Sequence, residues 1–442
     1  MASNYSSDNA LNPSILHQDS TSYGWSLPSS KTLATLFLIY LALVQFLRFR
    51  RSRQITAYVR AHQPLTPAAA QCVVHDIAQL EFPFMHLKAL DFALFRTYGI
   101  PTISALLKKT SLFSAPATAG RRYVDTEVLI SEFVARTYGS TEWVVPMARL
   151  NAIHGHYRDK GQIIEADMLY TILLFAQQVP KWVSRYEWRE MTHEECDAFG
   201  VFWQGISEAM EINYEGLGLR GWVEDHGMPM TANGRGKKAW IDGADWINAV
   251  DEWAERYEEK HMLPAESNKA VAEQTVALLL YEVPSFLHPF GKHVVSSLMD
   301  DRLRRATSIA PPPAWISTLV MTILSIRRLA LRWLLLPRPN FLKVVTITEL
   351  HEATKEGKHH MLDYANYPYY VTPTLGNRWG PRAWLRWSAG MPLPGDEGMV
   401  AEGYDPATAG PAVGRAKAEQ SKRVQRVEEV LVGRGCPMGF TC

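Results

Sequence analysis

Cysteine is scarce in this chain, and the few present are scattered. Cys72, Cys196, Cys436 and Cys442 are the four among 442 residues, and no two form a Cys-x-x-Cys pair. Such spacing argues against a zinc site, an iron–sulfur cluster or a disulfide scaffold, and suits a reducing compartment. An excess of either charge is also lacking. The 46 lysines and arginines nearly cancel the 45 acidic residues, so bulk electrostatics gives no reason to expect nucleic acid as a partner. Strand-like alternation hardly occurs before the short runs Val344–Thr348 and Tyr369–Thr374. There is no phosphate-binding loop, no Gly-x-Ser-x-Gly elbow and no internal repeat. Gly216, Gly218 and Gly221 match a bare Gly-x-Gly-x-x-Gly spacing but follow a predicted helix, not a strand, which discounts a dinucleotide site. His193-Glu194-Glu195 begins like a zinc-protease helix, but Asp197 stands where the second histidine is needed.

What the chain has is apolar helix. Thr32–Leu47 is an uncharged apolar run, followed at once by Arg48, Arg50, Arg51 and Arg53. Extended back across Lys31 it reaches the roughly 20 residues that a membrane span needs. Residues 1–30 are then a polar lumenal N-terminus and 31–48 a transmembrane anchor. The arginine excess after the run places Arg48 onward in the cytosol. Asn4-Tyr5-Ser6 is a glycosylation sequon on the lumenal side. A second apolar segment, 314–336, is interrupted by Arg327, Arg328 and Arg332. Spanning would bury each arginine at a cost of about 2.5 kcal/mol or more. It reads instead as a basic amphipathic helix in the headgroup plane or as a core helix with its arginines reaching outward.

Residues 57–340 read as helices joined by short loops, with Asp125 or Thr126 placed to cap the helix carrying Val128 to Val134. Beyond 340 the chain is rich in proline, glycine and tryptophan, so 341–442 is expected to wrap the helical body irregularly and end in a charged helix. The fold class is all-α.

The chemistry concentrates in Ala148–Gly161, ARLNAIHGHYRDKG. As a helix it puts Met147, Leu150, His154 and Tyr157 on one face. An imidazole on an apolar stripe needs a hydrogen-bond partner or a metal, so His154 reads either as a satisfied core histidine or as a haem or iron ligand. His156 is rotated by about 200° from it and shares a metal with it only if the helix breaks at Gly155. Arg149, five residues earlier, lies off to one side. Glu132, His288 and His293 complete the polar residues in the apolar body, and Glu132 reads equally as a solvated helix residue and His288 as a helix cap.

Several segments are similar to the MpaB-type fungal oxygenases bound to the endoplasmic reticulum. They are Leu80–Ser104, Ala148–Tyr157, Ala166–Ala176, Val283–Ala306, Asn377–Trp387 and Pro392–Gly398. The wider family includes the rubber oxygenases. The resemblance implies a globin-like helical domain holding haem b. It also implies dioxygen-dependent cleavage of a carbon–carbon double bond in an isoprenoid or lipid-like intermediate of secondary metabolism, such as the prenyl chain of a meroterpenoid. By that resemblance Arg149 stabilises charge on oxygen, Glu132 acts as base, and the axial ligand is sought among His154, His288 and Tyr170. The helix that aligns with the rubber oxygenases' proximal histidine, around Leu169–Ile172, contains no histidine. Two rival readings are a non-haem iron oxygenase with a facial triad, and a non-catalytic membrane protein that binds a hydrophobic intermediate.

Overall fold

Local capping chemistry sets where the helices begin. Thr66 caps the helix opened by Pro67, Ser140 caps that of Thr141, and Asp242 caps that of Gly243. Thr192 and Glu195 form a reciprocal capping box before His193. The computed structural model describes residues 29–110, 116–227, 233–348, 357–362, 364, 366–413 and 417–432. The helices in chain order begin with α1 (Ser30–Arg48), α2 (Arg50–Ala61), α3 (Pro67–His75), α4 (Pro83–Thr97), α5 (Pro101–Lys109) and α6 (Pro116–Ala135). There follow α7 (Thr141–Arg158), α8 (Glu165–Tyr186), α9 (His193–Ala209), α10 (Gly243–His261), α11 (Glu266–Leu279) and α12 (His288–Ser297). The last are α13 (Asp301–Thr307), α14 (Ala314–Trp333), α15 (Leu375–Trp379), α16 (Pro381–Ser388) and α17 (Lys417–Val432). With 66% helix against 3% strand, the protein is all-α, as its sequence leads one to expect. A two-stranded hairpin, β1 (Trp222–Glu224) and β2 (Gly236–Lys238), lies in the glycine-rich stretch between α9 and α10.

The chain divides into two compact units, Met1–Leu43 and Val44–Cys442. Most of α1 belongs to the first unit, and the helix is long and apolar enough to cross a membrane. The sequon at Asn4 lies outside the described residues, as do Cys436 and Cys442. In the second unit α4 packs along α8, and α9 packs against α3 and α10. Their shared core is strongly aromatic, with Trp143, Trp246, Phe95, Phe199, Phe202 and Tyr170 all nearly or fully buried.

Two details differ from the sequence expectation. Helix α6 starts at Pro116, so Asp125 sits within the helix, not at its cap. Its carboxylate instead accepts from the Tyr370 hydroxyl at 2.7 Å and pairs with Arg122. Cys72 is disulfide-bonded, whereas Cys196 is a free thiol that burial pushes up to about 12. Widely spaced cysteines carry no signal of pairing, because connectivity depends on which elements the fold brings together.

The segment after α14 is irregular. It is held together internally by single bridges, Ile347 with Met361, His359 with Tyr404 and Met361 with Val371. Helix α17 returns along α7. At Gly155 the two helices come close enough that the Arg423 guanidinium lies over the position a Cβ would occupy. Helix α7 runs through Gly155 unbroken to Arg158, and His156 stays turned away from His154.

Candidate functional site

Helix α7 carries the site because its apolar stripe faces a gap that its neighbours do not fill. Leu150, Ile153, His154 and Tyr157 line a cavity of about 280 Å³. Opposite them stand Leu129, Ile130 and Phe133 of α6, Met168, Ile172 and Phe175 of α8, and Leu106 and Leu107 of α5. Trp203 and Ile206 of α9 and the Gly410–Pro411 turn complete the wall. The lining is overwhelmingly apolar, and the volume sits at the lower edge of the roughly 300–1,000 Å³ typical of small-molecule pockets. A groove of about 630 Å³ elsewhere is lined by charged side chains such as Arg96, Glu258, Asp300 and Arg302, which pair with one another. That groove suits an apolar ligand poorly.

Among the described residues His154 is the one imidazole in the apolar wall, and its Nδ1 is buried with no hydrogen-bond partner among them. Burial, with the nearby Arg158 charge, lowers its pKa to about 4. At neutral pH the ring is uncharged and keeps a free lone pair. His156 lies outside the cavity, partly exposed and 2.7 Å from the Lys160 ammonium. Met147, two turns earlier on the same face, is buried but lies outside the lining.

Five other residues singled out in the sequence lie outside the lining. Arg149 is fully buried, about 140° around α7 from His154. Its guanidinium donates to the carbonyls of Ala409 at 2.8 Å, Val413 at 2.5 Å and Pro411. It thus holds the 409–413 turn whose Gly410 and Pro411 form part of the cavity wall.

Glu132 is completely buried on α6. It accepts from Arg136 Nε at 2.7 Å, His359 Nδ1 at 2.7 Å and Tyr404 Oη at 2.6 Å. Burial alone would raise its pKa, but the bonds from His359 and Arg136 hold it below the usual carboxylate value. Tyr170 donates to Glu258 at 2.7 Å beneath Arg96, and burial followed by that carboxylate raises its phenol far above the ordinary range. His288 opens α12 and bonds through Nε2 to the Val283 carbonyl at 2.8 Å. His293 lies on the same helix, away from the cavity.

The carboxylates that do reach the wall are Asp125 and Asp167. Asp167, in the first turn of α8, reads in the sequence as an ordinary acidic helix start. Its carboxylate accepts from Tyr257 Oη at 2.7 Å, and burial holds its pKa above the usual carboxylate value despite that bond and one from Thr102. The signal available was its position two residues before the apolar run Leu169–Phe175.

A neutral, partly exposed imidazole whose buried Nδ1 has no hydrogen-bond partner among the described residues suits a cofactor that needs a single protein ligand, as haem iron does. A bare metal ion needs several ligands. Among the described residues no group of three or more His, Cys, Asp or Glu side chains is placed to hold one, so the facial triad has no residues to form it there.

No protein-family model matches the chain. The chain is similar to a protein of Penicillium brevicompactum described as ER-bound oxygenase mpaB', with 37% identity over 428 residues, 93% of this chain and 96% of the relative. A second protein of that organism, ER-bound oxygenase mpaB, is 36% identical over 387 residues, 85% and 87% of the two chains. The ER-bound oxygenase mpaB of Penicillium roqueforti is 39% identical over 276 residues, 61% of this chain and 87% of the relative.

Proposed function

The chain belongs to the mpaB family of ER-bound oxygenases, and we propose that it oxidatively cleaves a carbon–carbon double bond of an isoprenoid or lipid-like intermediate held in the apolar cavity beside His154. The observation that carries this reading is the buried, unpartnered Nδ1 of His154 at the cavity wall. His154 would hold haem b through one imidazole nitrogen, and the bound haem iron would supply dioxygen activation. The chain's own part is binding and positioning. The apolar walls from α5 to α9 take up a prenyl-like chain and exclude water, so that charge developing inside is weakly screened. Arg149 sets the wall by holding the 409–413 turn, and so acts through that turn on where the substrate lies. Asp167 is the wall carboxylate suited to take a proton from the substrate, because its raised pKa lies closer to neutrality than that of Glu132. An apolar substrate partitions into the bilayer, which suits a membrane-associated enzyme.

Purified full-length protein in detergent is expected to show a Soret band. Turnover under labelled dioxygen is expected to place label in a cleaved carbonyl product. Iron without a porphyrin spectrum would favour a non-haem centre, and intact substrate bound without label incorporation would favour a carrier.

For orientation, the arginines after α1 support a lumenal N-terminus and a cytosolic body in the endoplasmic reticulum membrane. The Cys72 disulfide is the observation favouring the reverse insertion, since such bonds persist in an oxidising lumen. Under the first arrangement Asn4 is glycosylated, and endoglycosidase treatment is expected to increase the protein's gel mobility. That shift should vanish in Asn4→Gln. A mobility unchanged by the enzyme, with the body protected from added protease in sealed microsomes, would reverse the orientation.

A further inference from the structure

Helix α14 turns its apolar side away from the protein. At about 100° per residue, Trp315, Leu319 and Trp333 fall within about 20° of Ile326 around the helix. Trp315 is 62% exposed and Ile326 61%. The inner side, with Ile316 and Val320 buried, packs toward α12 and α8. The arginines that interrupt the sequence do not interrupt this face. Arg327 turns inward to Glu187 at 2.8 Å, with its guanidinium over the Phe84 ring, and Arg332 lies over Phe49 at 4.4 Å. Arg328 is exposed but lies about 160° around the helix from Ile326, well away from the apolar arc. A core helix buries its apolar arc and sends its arginines out, so α14 is not a core helix. The helix is long and apolar enough to cross a membrane, but spanning would carry Arg327, Arg328 and Arg332 into the bilayer.

The end of α14 is fastened to the last turn of the apolar run of α1 and to the residues just after it. Gln45 donates to the Arg332 carbonyl at 2.8 Å, Arg48 to that of Leu335, and Arg51 to that of Arg338 at 2.8 Å. If α1 is the anchor, these residues stand where it leaves the bilayer, and they hold the end of α14 at that level. Tryptophans at both ends of the arc suit the headgroup boundary.

We propose that the outer arc of α14 lies in the plane of the membrane interface, as a second contact that docks the catalytic unit on the lipid surface. This goes beyond the oxygenase reading and rests on the reading of α1 as an anchor.

The test uses the full-length chain in phosphatidylcholine vesicles. An environment-sensitive fluorophore is attached at Leu319→Cys or Ile326→Cys, with Glu252→Cys as an exposed reference. The signal of the unsubstituted chain, labelled in parallel, is subtracted. Quenching by brominated acyl chains is expected to be at least about threefold greater at 319 and 326 than at 252, with the order reversed for aqueous iodide. The unlabelled Trp315→Phe variant should lose part of the bromolipid quenching of intrinsic fluorescence. Iodide quenching at 319 and 326 equal to that at 252 would overturn the proposal by placing the arc in water. Shielding from both quenchers would overturn it by placing protein, such as a second copy, over the arc. None of these readouts depends on turnover, so the oxygenase reading can fail without touching this one.

Discussion

Replacing His154 by leucine is expected to abolish turnover while leaving the fold as stable as before, or more stable. The two effects have one cause. A buried polar atom without a partner costs about 1–3 kcal/mol, and Nδ1 of His154 is such an atom. Leucine removes that penalty and suits the apolar wall made by Leu150, Ile153 and Phe175. If the imidazole is the cofactor's ligand, its loss should exceed the roughly 10–100-fold cost of disturbing groups that merely support a ligand. A fall of more than about 100-fold in kcat/KM, with loss of the Soret band, is therefore expected. The pH dependence adds an independent readout. The folded protein holds His154 neutral down to about pH 4, whereas in the unfolded chain it takes up a proton near pH 6.5. The unfolded state thus binds the extra proton first as pH falls, and stability drops across the window from about 6.5 to 4. His154→Leu lacks this component, so ligand-free variant and parent should diverge in denaturant midpoint on acidification. Equal activity in the variant, or a marked loss of stability, would identify His154 as a packing residue.

How far the sequence could be read depended on how far apart the interacting residues lie along the chain. Helical periodicity is local, so the all-α class, the face of α7 bearing Leu150, His154 and Tyr157, and the outward turn of His156 were all legible. The roles of Arg149 and Glu132 were not. Arg149 donates to carbonyls some 260 residues onward, and Glu132 accepts from His359 and Tyr404, more than 220 residues away. No periodicity reports such partners. One clue was available in the spacing of Glu132 and Arg136, a helical pair at i and i+4 that can satisfy a buried carboxylate. The anchor-like run and the second apolar segment were legible as hydrophobicity. Which way the arginines of α14 turn was not, because that follows from Glu187 and Phe49 on other elements.

Glu132 is where the structure most changes what a substitution should do. As a base in the cavity, its replacement by glutamine would stop chemistry and spare the fold. As observed, its carboxylate joins α6 to the irregular segment: His359 and Tyr404 bridge each other through their backbones at 2.9 and 2.8 Å, and both side chains donate to it. Arg136 extends the network to the Thr348 carbonyl at 3.0 Å. Removing one partner of a buried, hydrogen-bonded ion pair costs about 3–5 kcal/mol, because the remaining charge is left uncompensated. Glu132→Ala is therefore expected to lose about that much stability and to release the segment around 347–404 to proteolysis or hydrogen exchange first. Glu132→Gln keeps the shape and one acceptor oxygen, and should lose less. Because the folded pKa is held below the ordinary carboxylate value, this stabilisation is complete above that value and disappears as pH falls through the lower folded one. The parent should approach the stability of Glu132→Gln on acidification, with the gap between them widest at neutral pH. Folded Glu132→Gln that keeps its spectrum and turns over at near-normal rate would assign Glu132 to the architecture. A variant of undiminished stability that is catalytically dead would return it to the chemistry.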